Sequence, residues 1–165
     1  MKKEIIIING SGGSGKDTFV EFCGKKVPVM NISSVDKIKE AGSVLGWDGG
    51  KKEEDRKFLS DLKILSTEYN DNPFEYIKLR VKEFIRHEAY RIMFIHIREP
   101  KEIERVKKEY GCKTLLVKNS KVKKIESNMA DANVDKYKYD FTIYNNKTLK
   151  ELETKAYEFV QKLLK

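Results

Sequence analysis

Residues 5–18 read Ile-Ile-Ile-Ile-Asn-Gly-Ser-Gly-Gly-Ser-Gly-Lys-Asp-Thr, and no other stretch constrains the chain so tightly. The run Ile5 to Ile8 reads as a buried strand, and the apolar residues Phe19, Val20, Phe22 and Cys23 read as the opening of a helix. Between them, Gly10-x4-Gly15-Lys16 has the spacing of a phosphate-binding loop. Glycines let such a backbone curl so that successive N–H groups point inward, and the helix N-terminus adds partial positive charge. Lys16 then reaches the outer phosphates of a nucleoside triphosphate. Gly10, Ser11, Gly12, Gly13, Ser14, Gly15, Lys16, Asp17 and Thr18 are the expected nucleotide-binding residues.

The serine or threonine that usually follows the lysine, and whose hydroxyl touches magnesium, is replaced here by Asp17. Two roles are open to this carboxylate. It can hold Mg2+ directly or through water, or it can supply the negative charge favoured at a helix start. Thr18 offers a hydroxyl and an N–H to an inner phosphate.

A chain of 165 residues is long enough for one domain with a substantial core. Met1 to Glu4 run directly into the first strand, so the reading includes no secretory signal, and the isoleucine run is far too short to cross a bilayer. Cys23 and Cys112 are isolated, without metal-ligand spacing, which suits small core residues in a reduced cytoplasm. The net charge of +8 raises the question of nucleic acid. Much of it lies in mixed runs such as Lys101 to Glu109, the solvated face of a helix, and no aromatic residues interleave with a basic stripe. Nucleic-acid binding is therefore the minority reading.

Hydrophobic periodicity gives alternating strands and helices. A second strand is expected at Val27 to Ile32, then a helix from Asp36 to about Leu45, capped by Ser33, Ser34 or Asp36. A helix from Glu53 presents Phe58, Leu62, Leu65 and Tyr69 on one face, with Glu53 and Lys57 as a supporting pair. Pro73 opens the next helix, which turns Phe74, Ile77, Val81, Phe84 and Ile85 inward. Arg91 to Ile97 reads as a third strand. Pro100 starts a helix that Gly111 closes, and Lys113 to Val117 is a fourth strand. A charged connector, about 118–138, precedes a last strand at Phe141 to Tyr144. The final helix carries Leu149, Leu152, Ala156, Phe159, Val160 and Leu163. This order specifies an α/β fold in three layers: a doubly wound, mainly parallel five-stranded sheet with helices on both faces. Ligands of such folds sit at the carboxyl ends of the strands, where the glycine loop lies.

Switch GTPases carry an Asp-x-x-Gly stretch and an Asn-Lys-x-Asp base reader, and neither Asp48-Gly49-Gly50 nor Asn146-Lys147-Thr148 satisfies them. Motor ATPases end an apolar strand in acidic residues, whereas here the third strand ends Ile95-His96-Ile97-Arg98-Glu99-Pro100. Four stretches point elsewhere: Gly15-Lys16-Asp17-Thr18, Asp36-Lys37-Ile38-Lys39-Glu40, Ile97-Arg98-Glu99-Pro100 with Glu102-Ile103, and Asp135 to Asn146. In this order they resemble the P-loop nucleoside-monophosphate-kinase-like superfamily, nearest to phage-type deoxynucleoside monophosphate kinases and animal-type phosphomevalonate kinases.

The resemblance implies a P-loop NTPase fold and phosphoryl transfer from ATP, with Mg2+, to a small phosphorylated acceptor. Asp17 belongs to the Gly-Lys-Asp variant of the loop in that family. Lys16 would follow the transferring group, and Arg98, at the end of a central strand, would contact donor and acceptor phosphates; its other role is a surface ion pair. Ser33, Ser34, Lys39 and Arg56 fall on the second crossover, in the acceptor-binding region of about 33–88. Asn145 and Asn146 either shape the loop around the base or make a turn. The connector beginning Lys118-Asn119-Ser120-Lys121 stands where related enzymes have an arginine-bearing lid, but it offers lysines, which are point charges rather than planar forks. The family's aspartate two residues before the strand-end arginine is His96 here. Glu99 or Asp17 would then orient the metal, or the chain is a nucleotide-binding regulatory protein with weak or no transfer.

Overall fold

The computed structural model describes residues 2–122, 134 and 137–165. Five strands form one sheet: β1 (Glu4–Asn9), β2 (Val29–Ser33), β3 (Ile92–His96), β4 (Lys113–Lys118) and β5 (Phe141–Tyr144). Their spatial order is β2-β3-β1-β4-β5. β1 runs parallel to β3, with Ile6 opposite Phe94, and parallel to β4, with Ile8 opposite Leu115. β4 runs parallel to β5. Parallel neighbours require crossovers; helices fill those from β1 to β2, β2 to β3 and β3 to β4, and the sheet has helices on both faces.

The alternation of side chains along β1 sorts the core. Ile6 and Ile8 join Phe94, Leu115 and Val117 beneath α1 (Lys16–Gly24) and the C-terminal helix. From α1 come Phe19, Val20 and Cys23, and from the C-terminal helix Leu152, Ala156, Phe159 and Val160. The Phe159 ring stands edge-on to Phe19 at 5.6 Å and to Phe141 at 5.4 Å between centroids. Ile103 and Val106 are the buried residues of the helix Pro100–Tyr110, which packs against β1. Burial pushes the Cys23 and Cys112 thiols up to about 12 each, as expected of inert core cysteines.

The chain divides into two compact units. The first comprises Met1–Asn31 and His87–Lys165. The second, Ile32–Arg86, contains α2 (Asp36–Val44), α3 (Glu53–Asn70) and α4 (Asn72–Arg86). Gly42 permits a close approach of α2 to α3, since a Cβ there would lie 2.9 Å from Leu59 Cδ2. At the start of α3 the Asp55 carboxylate accepts the Lys52 N–H at 2.9 Å, and Glu53, Glu54 and Asp55 load the first turn with negative charge. In the first unit, α5 (Pro100–Tyr110) ends at left-handed Gly111 (φ 63°), and α6 (Leu149–Leu164) is capped by the Thr148 hydroxyl, which accepts the Glu151 N–H at 3.3 Å.

Several expectations need correction. The second strand begins at Val29 rather than Val27, because Pro28 has no N–H to contribute to a ladder. On α3, Leu65 and Tyr69 are exposed and no residue of the helix is buried. Within the second unit α3 packs on α2 and α4, and half of its apolar stripe is exposed. Lys57 pairs with Asp61, not Glu53. Ile85 is exposed near the end of α4, and Leu149 is exposed in the first turn of α6, before its stripe reaches the sheet. Most of the connector, residues 123–133 and 135–136, lies outside the described residues, and so do Lys123 and Lys124. Among the described residues no helix is long and apolar enough to cross a membrane.

Candidate functional site

The loop after β1 is bent by glycines in conformations that other residues rarely take. Gly15 caps α1 in the left-handed region (φ 93°, ψ 16°), and Gly10 leaves β1 at φ 155°. Both are also hemmed in. A Cβ on Gly10 would lie 2.4 Å from Val117 O, and one on Gly15 would lie 2.4 Å from Asn145 Nδ2. Within the loop the Ser14 N–H donates to Ser11 O at 3.1 Å, and the Phe19 N–H donates to Gly15 O at 2.9 Å as α1 begins. The amides of a helix's opening turn precede its own acceptors, so they point out of its N-terminus.

Two asparagines hold this curl. Asn145, just past β5, donates from Nδ2 to Ser14 O at 3.0 Å, and its N–H donates to Lys118 O at 2.7 Å. Asn9, the last residue of β1, is buried. Its Oδ1 accepts the Gly10 N–H at 2.8 Å, while its Nδ2 donates to Tyr139 Oη at 2.8 Å and to Arg98 O at 3.3 Å. The Tyr139 hydroxyl donates onward to Val134 O at 3.0 Å. The ends of β1, β3, β4 and β5 are thereby tied to one loop.

At the centre of the loop, Ser14 is buried and its hydroxyl oxygen has no hydrogen-bond partner among the described residues. Buried hydroxyls are rarely left so, and an anionic oxygen or its bound water would satisfy this one. Lys16 occupies the first position of α1, half-buried, and Thr18 is half-buried a half-turn on. The Asp17 side chain is 83% exposed and stands 3.9 Å, Oδ1 to Nδ1, from His96 at the end of β3. His96 Nε2 is 2.9 Å from Asn31 Oδ1. Arg98 follows two residues later, half-buried. Among the described residues no three His, Cys, Asp or Glu side chains gather into a metal site. Mg2+ in phosphate sites is commonly held by one or two carboxylates plus phosphate oxygens and water, and Asp17 has the donor chemistry for that role.

The second unit carries its own polar group. Ser33 N–H donates to Asp36 Oδ2 at 2.8 Å, and the same oxygen accepts from Tyr76 Oη at 3.3 Å. Burial first, then the Asp36 carboxylate, push the Tyr76 phenol above its ordinary value. Arg80, one turn along α4, has a buried Nε without a hydrogen-bond partner among the described residues, while its Nη1 pairs with Glu83. Ser33 Oγ accepts the Val35 N–H at 3.4 Å, Ser34 is buried, and Lys39 and Arg56 are exposed on α2 and α3. Sequence reasoning missed Tyr76 and Arg80, although their spacing of four on a helix puts them on one face.

No protein-family model matches the chain, and no curated protein matches it. Solved structures do. TT1252 from Thermus thermophilus superposes with a TM-score of 0.58 over 99% of each chain, at 21% identity. Dephospho-CoA kinase from Campylobacter jejuni gives 0.54 over 98% of each chain at 17% identity. Shikimate kinase from Aquifex aeolicus gives 0.50 over 96% of each chain at 10% identity. The fold is the P-loop NTPase fold. At these identities the likeness speaks to architecture alone.

Proposed function

We propose that this protein is an ATP-dependent phosphotransferase acting on a small phosphorylated acceptor, most simply a nucleoside or deoxynucleoside monophosphate. The observation that carries the reading is the glycine loop itself: a curled backbone held by Asn9 and Asn145, around a buried Ser14 hydroxyl that lacks a partner among the described residues. A flexible connecting turn has no need of such bracing. The shared fold with dephospho-CoA kinase and shikimate kinase supports a small-molecule kinase. The sequence resemblance to phage-type deoxynucleoside monophosphate kinases supports the choice of acceptor.

Phosphoryl transfer asks a protein for positioning and charge neutralisation more than for covalent chemistry. ATP with Mg2+ supplies the transferable group. In this reading the amides and hydroxyls from Gly10 to Thr18 hold the donor phosphates, and Lys16 neutralises charge on the moving phosphoryl. Asp17 holds the cation. Arg98, at the carboxyl end of β3, bridges charge between donor and acceptor phosphates. Ser33, Ser34, Lys39 and Arg56 of the second unit bind the acceptor, with Tyr76 and Arg80 as further contacts.

The test is ADP release with ATP and Mg2+ against a panel of nucleoside and deoxynucleoside monophosphates. Turnover with one acceptor is expected, and Lys16→Ala should lower it by roughly a thousandfold or more, the scale of a preorganised charge on the transferring group. No ADP from any acceptor would contradict the assignment. A second reading, a nucleotide-dependent regulatory protein, is favoured by one observation, the His96 imidazole beside Asp17. Tight ATP binding in calorimetry without transfer would select it.

A further inference from the structure

Within the second unit, one guanidinium is only half engaged. The Arg80 side chain on α4 is 30% exposed, and Glu83, one turn on, accepts from its Nη1. Its Nε is buried and has no acceptor among the described residues. In a guanidinium the Nε–H runs side by side with one Nη2–H, and Glu83 binds off that edge, at Nη1. An oxyanion presenting two oxygens fits such an edge as a fork. Four residues earlier on the same face of α4, the Tyr76 hydroxyl donates to Asp36 Oδ2 at 3.3 Å, and that oxygen also accepts the Ser33 N–H at 2.8 Å. Both bonds fall on Oδ2, which leaves Asp36 Oδ1 to receive a donor. Burial raises the Tyr76 phenol, Asp36 raises it further, and the Arg80 charge opposes both, so the three groups share one electrostatic neighbourhood. Lys37 Nζ stands 5.8 Å from the Tyr76 ring centroid but is already paired with Glu40.

We infer that this group on α2 and α4 takes a phosphate monoester that also bears a hydroxyl: the Nε–Nη2 edge of Arg80 binds the phosphate, and Asp36, steadied by Tyr76, accepts from the hydroxyl. The inference rests on the phosphotransferase reading and deepens it, because it states which chemical groups the acceptor must carry and which residue reads each. A neutral acceptor would leave the sheltered Nε–H unpaired, at a cost. Inorganic phosphate would engage Arg80 but set an anion beside the Asp36 carboxylate with no proton to offer it. A nucleoside monophosphate meets both halves, with its phosphate and a sugar hydroxyl. The competing role for Arg80 is an ordinary helix-surface ion pair with Glu83, which contributes little to stability and leaves the buried Nε unexplained.

The test measures steady-state kinetics of the intact protein with ATP and Mg2+, varying deoxynucleoside 5′-monophosphates as the acceptor. Arg80→Gln should raise the acceptor KM by roughly tenfold to a hundredfold, the scale of charge-assisted hydrogen bonds, while the KM for ATP is unchanged. Arg80→Lys should recover only part of that loss, since an ammonium is a point charge rather than a fork. Should Arg80→Gln fail to fold in urea titrations, Arg80→Lys carries the test, because it keeps the charge. Glu83→Gln separates the two roles: a mere ion pair predicts the same penalty from either side, whereas an acceptor site predicts that the Glu83 change leaves the acceptor KM unchanged or lowers it. A 2′,3′-dideoxynucleoside monophosphate, which lacks the hydroxyl, should show a higher KM than its deoxy counterpart in wild type and the same KM in Asp36→Asn. Turnover by Arg80→Gln at an unaltered acceptor KM, or an equal penalty from Glu83→Gln, overturns the inference and leaves the phosphotransferase reading standing. Equal KM values for the deoxy and dideoxy acceptors in wild type overturn the role of Asp36. No turnover and no binding of any monophosphate by the wild type overturns both the inference and that reading.

Discussion

A single β-carbon at position 15 meets two obstacles at once. Gly15→Ala puts a side chain at φ 93° and drives its Cβ to within 2.4 Å of Asn145 Nδ2, which itself holds the Ser14 carbonyl. Left-handed strain in a non-glycine residue costs about 1–3 kcal/mol. The variant should lose ATP affinity in calorimetry by more than it loses thermal stability, because the loop, not the core, is displaced. Equal affinity in the two proteins would show that the curl is not what binds. Asp140 offers a different check. Partial burial, the largest influence, raises its pKa, but the Thr114 N–H and hydroxyl and the Lys107 ammonium outweigh it, and the net direction is down from 3.8. A carboxyl lowered in the folded state adds stability above the unfolded pKa and loses it as pH falls through the folded one. Asp140→Asn should therefore melt lower than wild type at pH 7, with the gap narrowing below about pH 3.8. A gap that stays constant down to pH 2 would remove the linkage.

Whole elements respond to the same packing rules. On α4, Ile77, Val81 and Phe84 are buried, whereas on α3 Leu65 is 64% exposed. Phe84→Ala should cost about 3–5 kcal/mol in urea unfolding, and Leu65→Glu less than about 0.5 kcal/mol. A large loss from Leu65→Glu would mean that α3 is covered on both sides. Strand and helix identities were legible because β-branched runs and 3.6-residue stripes signal themselves locally. The orientation of α3 was not, since a stripe of Phe58, Leu62, Leu65 and Tyr69 records an amphipathic pattern without saying how much partner surface exists. At the loop, Gly10 to Lys16 announced itself by spacing. Its braces did not, because Asn145 acts on Ser14 across 131 residues and Asn9 meets Tyr139 across 130. His96 was visible as an odd residue at a strand end, but its approach to Asp17 exists only once β3 lies beside β1.

At the scale of the molecule, the parallel sheet brings the carboxyl ends of β1, β3, β4 and β5 to one loop, and the proposed nucleotide site depends on that convergence. The excess of positive charge fits polyphosphate ligands, and its mixed distribution argues against a dedicated nucleic-acid face. The most direct measurement is an amide NMR titration of the intact protein with ATP and a divalent cation. Saturable shifts concentrated at the backbone amides of Gly12 to Thr18 are expected, and they should vanish in Gly15→Ala. Shifts spread elsewhere, or amides of that loop untouched at millimolar ATP, would contradict the phosphate cradle.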